Sequence, residues 1–91
     1  MSQNTSEVVD NTKLCRFELE VDGELAIVEY RIADGAIYFT HTETPHQLQG
    51  RGIASRVASA ALTSAKQRGL RIVPRCSYMV DYLKKHPEFR D

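Results

Sequence analysis

Three stretches of the chain alternate between apolar and polar side chains, which is the pattern of half-buried β-strands. Asp-Gly pairs at residues 22–23 and 34–35 separate the stretches, and this dipeptide favours the tight turns of β-hairpins. The third stretch runs from Ala36 to about Thr44, where Pro45 ends it. We therefore expect three antiparallel strands whose inward faces carry Cys15, Phe17, Leu19 and Val21, then Ala26, Val28, Tyr30 and Ile32, then Ile37, Phe39, His41 and Glu43.

The pattern changes to helical spacing in the second half of the chain. Small apolar residues predict a helix from about Arg51 to Arg68, with Gly69 just past its end. Residues 70–73 predict a short strand that Pro74 stops, and the helix before it makes this strand parallel to the third. The predicted fold is α+β with a mixed sheet, in the order β-β-β-α-β followed by a last helix.

That last helix is expected to start at Ser77, whose hydroxyl can cap it, and to run to about His86. Residues 1 to 12 show no packing pattern, and we expect a disordered polar tail before one domain at residues 13–91. The polar start lacks the features of a signal peptide, and two distant cysteines, Cys15 and Cys76, are not a disulfide framework. We therefore expect a cytosolic protein.

Charge is distributed unevenly although the formal net charge is zero. Residues 1–43 hold nine acids and three bases, whereas residues 44–80 hold six bases and no acid. Such a basic segment favours an anionic ligand, although a solvated basic helix face explains it equally well. The bases are Arg51, Arg56, Lys66, Arg68, Arg71 and Arg75.

A glycine loop at residues 47–55 opens directly into the predicted helix inside this basic segment. Gly50 and Gly52 let the backbone approach a ligand closely, and the free N–H groups of a helix N-terminus attract phosphate. Arg51 in the first turn opposes the helix dipole unless an anion lies nearby. The loop is a candidate diphosphate site.

The motif Gln49-Gly50-Arg51-Gly52-Ile53-Ala54 is similar to the R/Q-x-x-G-x-G/A signature of the GCN5-related N-acetyltransferases (GNAT), and the resemblance spans about residues 14–90. Three further segments resemble the small single-domain members: Thr40-His41-Thr42-Glu43, Val73-Pro74-Arg75-Cys76-Ser77-Tyr78 and His86-Pro87-Glu88-Phe89. The resemblance implies that acetyl-coenzyme A binds in a cleft where the parallel strands splay apart. It implies a pyrophosphate site at Gln49, Gly50, Arg51, Gly52, Ile53, Ala54 and Ser55, with Thr42 and Glu43 beside the pantetheine arm.

The resemblance places the thioester near His41 and Cys76, which makes them candidate catalytic residues. His41 suits a general base because imidazole titrates near neutrality, but a histidine here can equally serve only to shape the loop. Cys76 can accept the acetyl group as a nucleophile, or simply fill space beside the strand. Tyr78 can donate a proton to the leaving thiolate, although a tyrosine pair with Tyr82 at helical spacing is more often part of the core.

Three functions remain open. The first is an N-acetyltransferase that acts on a primary amine of a small molecule or of a protein lysine. The second is a non-catalytic acyl-coenzyme A-binding module, because the short turns at residues 22–23 and 34–35 leave no room for the helices that enclose the acceptor in longer GNAT proteins. The third, a nucleic-acid binder, is disfavoured because no aromatic residues are interleaved with the basic ones. We expect a monomer without a metal site, membrane contact or nucleic-acid partner.

Overall fold

The computed structural model describes residues 7–90, which form a five-stranded sheet and two α-helices. The strands lie side by side in the order in which they occur along the chain. The first four are antiparallel neighbours, and the fourth and fifth are parallel. The elements are β1 (Val9–Asn11), β2 (Arg16–Val21), β3 (Glu24–Ala33), β4 (Ala36–Glu43), α1 (Ile53–Gln67), β5 (Arg71–Pro74) and α2 (Ser77–Lys85), with 3-10 turns at His46–Leu48 and Pro87–Phe89.

The mixed sheet confirms the predicted α+β fold of antiparallel hairpins followed by one parallel pair. Both Asp-Gly pairs form two-residue hairpin turns, and all four turn residues have positive φ, as a type I′ turn requires. The chain returns from β4 to β5 through α1, and this crossover makes the two strands parallel.

β1 is the element that the sequence did not predict. We expected residues 1–12 to be disordered, and for residues 9–11 this is wrong, because they pair with β2 from Val9↔Glu18 to Asn11↔Arg16. Residues 1–6 of the predicted tail lie outside the described part of the chain. A three-residue strand contains too little alternation to be recognised in sequence, and its pairing depends on the neighbour that the fold supplies.

A buried tyrosine ties β1 to the rest of the fold. Tyr30 is 5% exposed, and its hydroxyl donates a 2.7 Å hydrogen bond to Oδ1 of Asp10. Arg68, just past the end of α1, lies 3.6 Å from Oδ2 of the same carboxylate. Burial, reinforced by the Asp10 carboxylate, raises the pKa of Tyr30 to about 12.

Tyr30→Phe should therefore change how stability depends on alkaline pH. A folded-state pKa above the usual 10.0 means that Tyr30 stabilises the fold fully below pH 10, and that this contribution is lost as the pH rises through about 12. In urea denaturation, the free energy of unfolding should fall less steeply over this range in Tyr30→Phe than in the wild type. At neutral pH the variant should be less stable by about 1 to 3 kcal/mol, because a hydrogen bond to a charged acceptor is lost. Equal slopes in the two proteins would contradict the assignment.

Both helices pack on one face of the sheet, where their apolar sides meet the inward-facing side chains in a single buried cluster. The opposite face carries mostly charged side chains of β2 and β3, and no helix of the described chain covers it. The cluster includes Phe17, Leu19, Val28, Tyr30, Ile37 and Phe39 from the sheet, Val57, Ala58, Ala61, Leu62 and Ala65 from α1, and Met79, Tyr82 and Leu83 from α2.

A β-bulge in β4 changes which of its side chains face the helices. The register between β3 and β4 shifts by one residue, which leaves Thr40 without a partner in β3. Phe39 faces the core before the bulge, and Thr42 does so after it, since it pairs with a buried residue of β3. We expected His41 and Glu43 on the same face as Phe39. That expectation is wrong, because strict alternation stops at the bulge.

A left-handed glycine lies at each end of α1. The helix starts at Ile53 rather than Arg51, because Gly52 adopts a left-handed conformation at the N-cap. Its predicted end is confirmed: Gly69 has a φ of 68°, and the N–H of the next residue donates to the Ala65 carbonyl at 3.0 Å. This is the six-to-one hydrogen bond of a Schellman motif.

The last two elements differ from the prediction by one residue each. Pro74 is the final residue of β5 rather than the residue that stops it, which is tolerated because β5 is an edge strand within the described sheet. Cys76 rather than Ser77 occupies the N-cap of α2, and its side chain makes no capping hydrogen bond. His86 lies at the C-cap.

Candidate functional site

A cavity of about 390 Å³ opens where β4 leads into α1. Its walls come from the end of β4, the glycine loop, the first turn of α1 and the start of α2. The lining residues are Thr42, Thr44, Leu48, Gln49, Gly50, Gly52, Ile53, Ala54, Ser55 and Tyr78. All of them except Thr44 and Leu48 are residues that the sequence had suggested, so the structure collects most of the candidate site around one space.

The two glycines of the loop are required by backbone conformation. Gly50 and Gly52 have φ values of 79° and 75°, which side-chain-bearing residues adopt only at a cost. A Cβ atom at either position would meet nothing within 4 Å, so neither glycine is needed for packing inside the protein. Because both line the cavity, the absence of side chains keeps the backbone accessible from that space.

The N-terminus of α1 faces the same space without a side-chain cap. Gly52 is the N-cap residue and has no side chain to offer, and the first turn contains no acidic residue. The N–H groups of a first helical turn have no partner within the helix, and the helix dipole gives them partial positive charge. This arrangement suits an anion, with phosphate as the usual occupant.

The loop is held in place through two residues to which sequence reasoning assigned no role of their own, Leu48 and Thr44. Leu48 is 1% exposed and belongs to the buried cluster, so it anchors the 3-10 turn before the glycines. The side-chain Nε2 of Gln49 donates a 3.2 Å hydrogen bond to the carbonyl of Thr44. Leu48 had a detectable signal, since it is the only aliphatic residue between Pro45 and Ile53. Thr44 had none.

Arg51 lies outside the cavity lining. Its Nη1 is 3.0 Å from Oδ2 of Asp22 in the first hairpin turn, and both side chains are largely exposed. An exposed ion pair of this kind contributes little to stability. Arg51 is therefore paired outside the cavity wall, and the donors that face the cavity are the backbone N–H groups at the start of α1.

The parallel strands part next to this cavity. Their register ends at Phe39↔Pro74, and the Arg75 N–H donates a 2.8 Å hydrogen bond to the Phe39 carbonyl. Beyond that point β4 continues to Glu43 paired with β3, while the chain after β5 turns into α2. The two segments therefore diverge beyond Phe39 and Pro74, and the gap between them opens beside the cavity wall at Thr42.

Cys76 reaches this gap from the side of α2. Its half-buried Sγ lies 3.2 Å from Oγ1 of Thr42, which lines the cavity. The two residues come from different elements, since Thr42 follows the bulge in β4 and Cys76 precedes α2. The predicted nucleophile is thus within one side-chain contact of the cavity.

His41 is placed differently from Cys76. Its Nε2 lies 3.5 Å from Oε1 of Glu43, and both side chains are more than half exposed. The bulge turns both of them to the sheet face opposite Thr42, and neither lines the cavity. The side chains of His41 and of Thr42, the contact partner of Cys76, therefore lie on opposite faces of β4.

Tyr78 forms part of the cavity wall at the first turn of α2. Burial raises the pKa of Tyr78, and the neighbouring Tyr82 adds to the shift. The two ring centroids are 6.0 Å apart, and the Tyr82 hydroxyl accepts a 3.4 Å hydrogen bond from Ser55 Oγ. Tyr78 thus stays protonated at neutral pH and can act as a hydrogen-bond donor.

Residues 7–90 contain neither a metal-ion cluster nor a membrane-spanning helix. Nowhere in that range do three or more His, Cys, Asp or Glu side chains come together in a way that could hold a metal ion. Neither helix in the same range has the length and apolar character needed to cross a membrane.

Comparison with known proteins gives a consistent result. The sequence profile of the family described as GCN5-related N-acetyl-transferase matches residues 16–91. The chain is 30% identical to Protein NATD1 of Gallus gallus over 84 residues, which cover 89% of this chain and 76% of that protein. It is 33% identical to Protein NATD1 of Mus musculus, in a match that covers 72% of this chain and 59% of the mouse protein. The chain thus spans about three fifths of the length of the mouse relative.

A solved structure resembles the whole described fold. The NMR solution structure of a GCN5-like protein from Staphylococcus aureus superposes with a TM-score of 0.71 at 26% sequence identity. The superposition covers 98% of this chain and 86% of the bacterial one.

Proposed function

Given that this chain belongs to the GCN5-related N-acetyltransferase family, we propose that it binds acetyl-coenzyme A in the cavity beside the glycine loop. We further propose that it moves the acetyl group to a primary amine, either of a small molecule or of a protein lysine. The observation that carries this proposal is the coincidence of an uncapped helix N-terminus, two left-handed glycines and an open cavity at one place.

The residues present fit the diphosphate of coenzyme A. The first-turn N–H groups of α1 supply donors, and no acidic side chain lines the cavity to oppose a double negative charge. Gly50 and Gly52 leave room for close approach of the phosphate oxygens to the backbone. Another part of the wall is formed by apolar Leu48 and hydroxyl-bearing Thr42. This part lies toward the gap between β4 and β5 and suits the pantetheine arm.

When bound, acetyl-coenzyme A supplies an acetyl group activated as a thioester. In direct transfer, the chain must position the amine, accept its proton and protonate the departing sulfur. Tyr78 lines the cavity and carries a proton at neutral pH, so it is the donor to the sulfur. His41, paired with Glu43 on the open face of the sheet, is the candidate base for an amine that approaches from that face.

A covalent route through Cys76 uses the same space. The Cys76 thiolate forms a bond to the acetyl carbon as the bond from that carbon to the coenzyme A sulfur breaks, and the released sulfur takes a proton from Tyr78 or water. The amine nitrogen then forms a bond to the acetyl carbon as the bond from that carbon to Sγ breaks, so Cys76 leaves as thiolate, and the proton lost by the nitrogen passes to Tyr78 or to water. The 3.2 Å contact of Sγ with a cavity-lining side chain supports this route.

One observation favours a second function, a non-catalytic acyl-coenzyme A-binding module. Two-residue turns join β2, β3 and β4, and no helix of the described chain covers the sheet face that carries His41. An acceptor on that face has few surrounding residues to hold it in place. Because much of the rate of such a transfer comes from positioning the two reactants, an open acceptor face favours binding without turnover.

Titration with coenzyme A followed by an amine panel tests the proposal. We expect saturable binding by calorimetry, and a higher unfolding temperature at saturating ligand, because a ligand that binds only the folded state stabilises it. With acetyl-coenzyme A and a panel of small amines and lysine peptides, free thiol should be released with at least one acceptor. Binding without thiol release for any amine would favour the binding module, and no binding at all would overturn both functions.

A further inference from the structure

The side chains of Thr42 and Cys76 meet across the gap where β4 and β5 part. Their Oγ1 and Sγ atoms are 3.2 Å apart, which is hydrogen-bond distance for a sulfur pair. The contact is long-range in sequence, so the fold itself has to create it. Without the bulge at Thr40, strand alternation would turn Thr42 to the opposite face of the sheet, away from Cys76.

We propose that Thr42 is a positioning residue for Cys76. The Thr42 hydroxyl donates a hydrogen bond to the Cys76 thiolate and holds Sγ toward the cavity. The inference deepens the proposed function, because it rests on the cavity receiving a thioester. The proposed role belongs to the Thr42 side chain, and it is separate from any pairing of the Thr42 backbone with the pantetheine arm.

Either atom of the contact between Thr42 and Cys76 can be the donor while Cys76 is a neutral thiol. Once the thiol has lost its proton, only the Thr42 hydroxyl can donate, because a thiolate can only accept. Donation to the charged form stabilises that form and fixes where Sγ lies. The thiolate is the reactive species in both acyl transfer and alkylation.

Alkylation by iodoacetamide measures this effect without coenzyme A. The Cys15→Ser background leaves Cys76 as the only thiol, and intact mass gives its alkylation rate at neutral pH. In that background, Thr42→Val should slow alkylation by about tenfold, because the hydroxyl that donates to the reactive thiolate is lost. Thr42→Ser keeps the hydroxyl and should restore the original rate.

Thr63→Val is the matched control, since it removes an exposed hydroxyl on α1 that is outside the cavity lining and is not the partner of Cys76. Its alkylation rate should match that of the background. An alkylation rate of Thr42→Val that is unchanged or faster would overturn the inference. Thr42→Ala serves as a second truncation if the valine variant unfolds by circular dichroism. Because the assay contains no coenzyme A, a protein that fails to bind it can still show the Thr42 effect, so the two proposals fail separately.

Discussion

Gly52→Leu is expected to weaken coenzyme A binding by about a hundredfold or more. The leucine side chain would extend into the space that the diphosphate needs, since a Cβ atom at Gly52 meets no protein atom within 4 Å and the residue lines the cavity. A hundredfold change in affinity is about 2.8 kcal/mol, which matches the loss of two hydrogen bonds to a charged group at about 1.5 kcal/mol each, or of one at about 3 kcal/mol. Calorimetric titration of the wild type and the variant measures it.

Gly35→Leu is the control for backbone strain. Gly35 has the same φ of 75° as Gly52 and equally open space around its Cβ position, but it lies in the turn between β3 and β4. Both variants should lose about 1 to 2 kcal/mol of stability from a left-handed leucine, and only Gly52→Leu should lose affinity. Equal affinities in the two variants would remove the glycine loop from the binding site.

Cys76→Ser is expected to abolish a covalent acetyl adduct that forms when the protein is incubated with acetyl-coenzyme A alone. The thiolate is a strong nucleophile at neutral pH, whereas a serine hydroxyl without an activating base is not. Intact mass spectrometry detects the adduct as a single acetyl addition. Cys15→Ser should retain it, because the Sγ of Cys15 contacts the Thr12 carbonyl at 3.7 Å, whereas the Sγ of Cys76 contacts a cavity-lining side chain.

The outcome separates the two chemical routes. An adduct that persists in Cys76→Ser would exclude the covalent route through this residue. If the wild type forms no adduct yet acetylates an amine, direct attack is the mechanism, and His41→Ala should then alter the pH dependence of turnover. The exposed position of His41 beside Glu43 makes this the test of whether the open sheet face receives the acceptor.

Much of the fold followed from local patterns. Alternation, two Asp-Gly turns, a stripe of small apolar residues and Gly69 predicted β2 to β5 and both helices, because each signal acts within a few residues. The glycine loop was also a local signal, since two glycines directly before a predicted helix are visible in the sequence alone. β1 was missed because it depends on contacts that are distant in sequence. It pairs with β2, and its Asp10 accepts a hydrogen bond from Tyr30, which lies twenty residues further along the chain.

In the candidate site, too, some features were predicted from the sequence and others depend on the fold. By itself, the sequence determined the glycine loop before α1 and the presence of Thr42, Cys76 and Tyr78 in motifs that resemble one family. Only the tertiary structure decided that Thr42 meets Cys76 while His41 faces away, because one unpaired residue in β4 reverses the side-chain direction after it. A bulge arises from how two strands fit together, and residues that follow strict alternation carry no local signal for it.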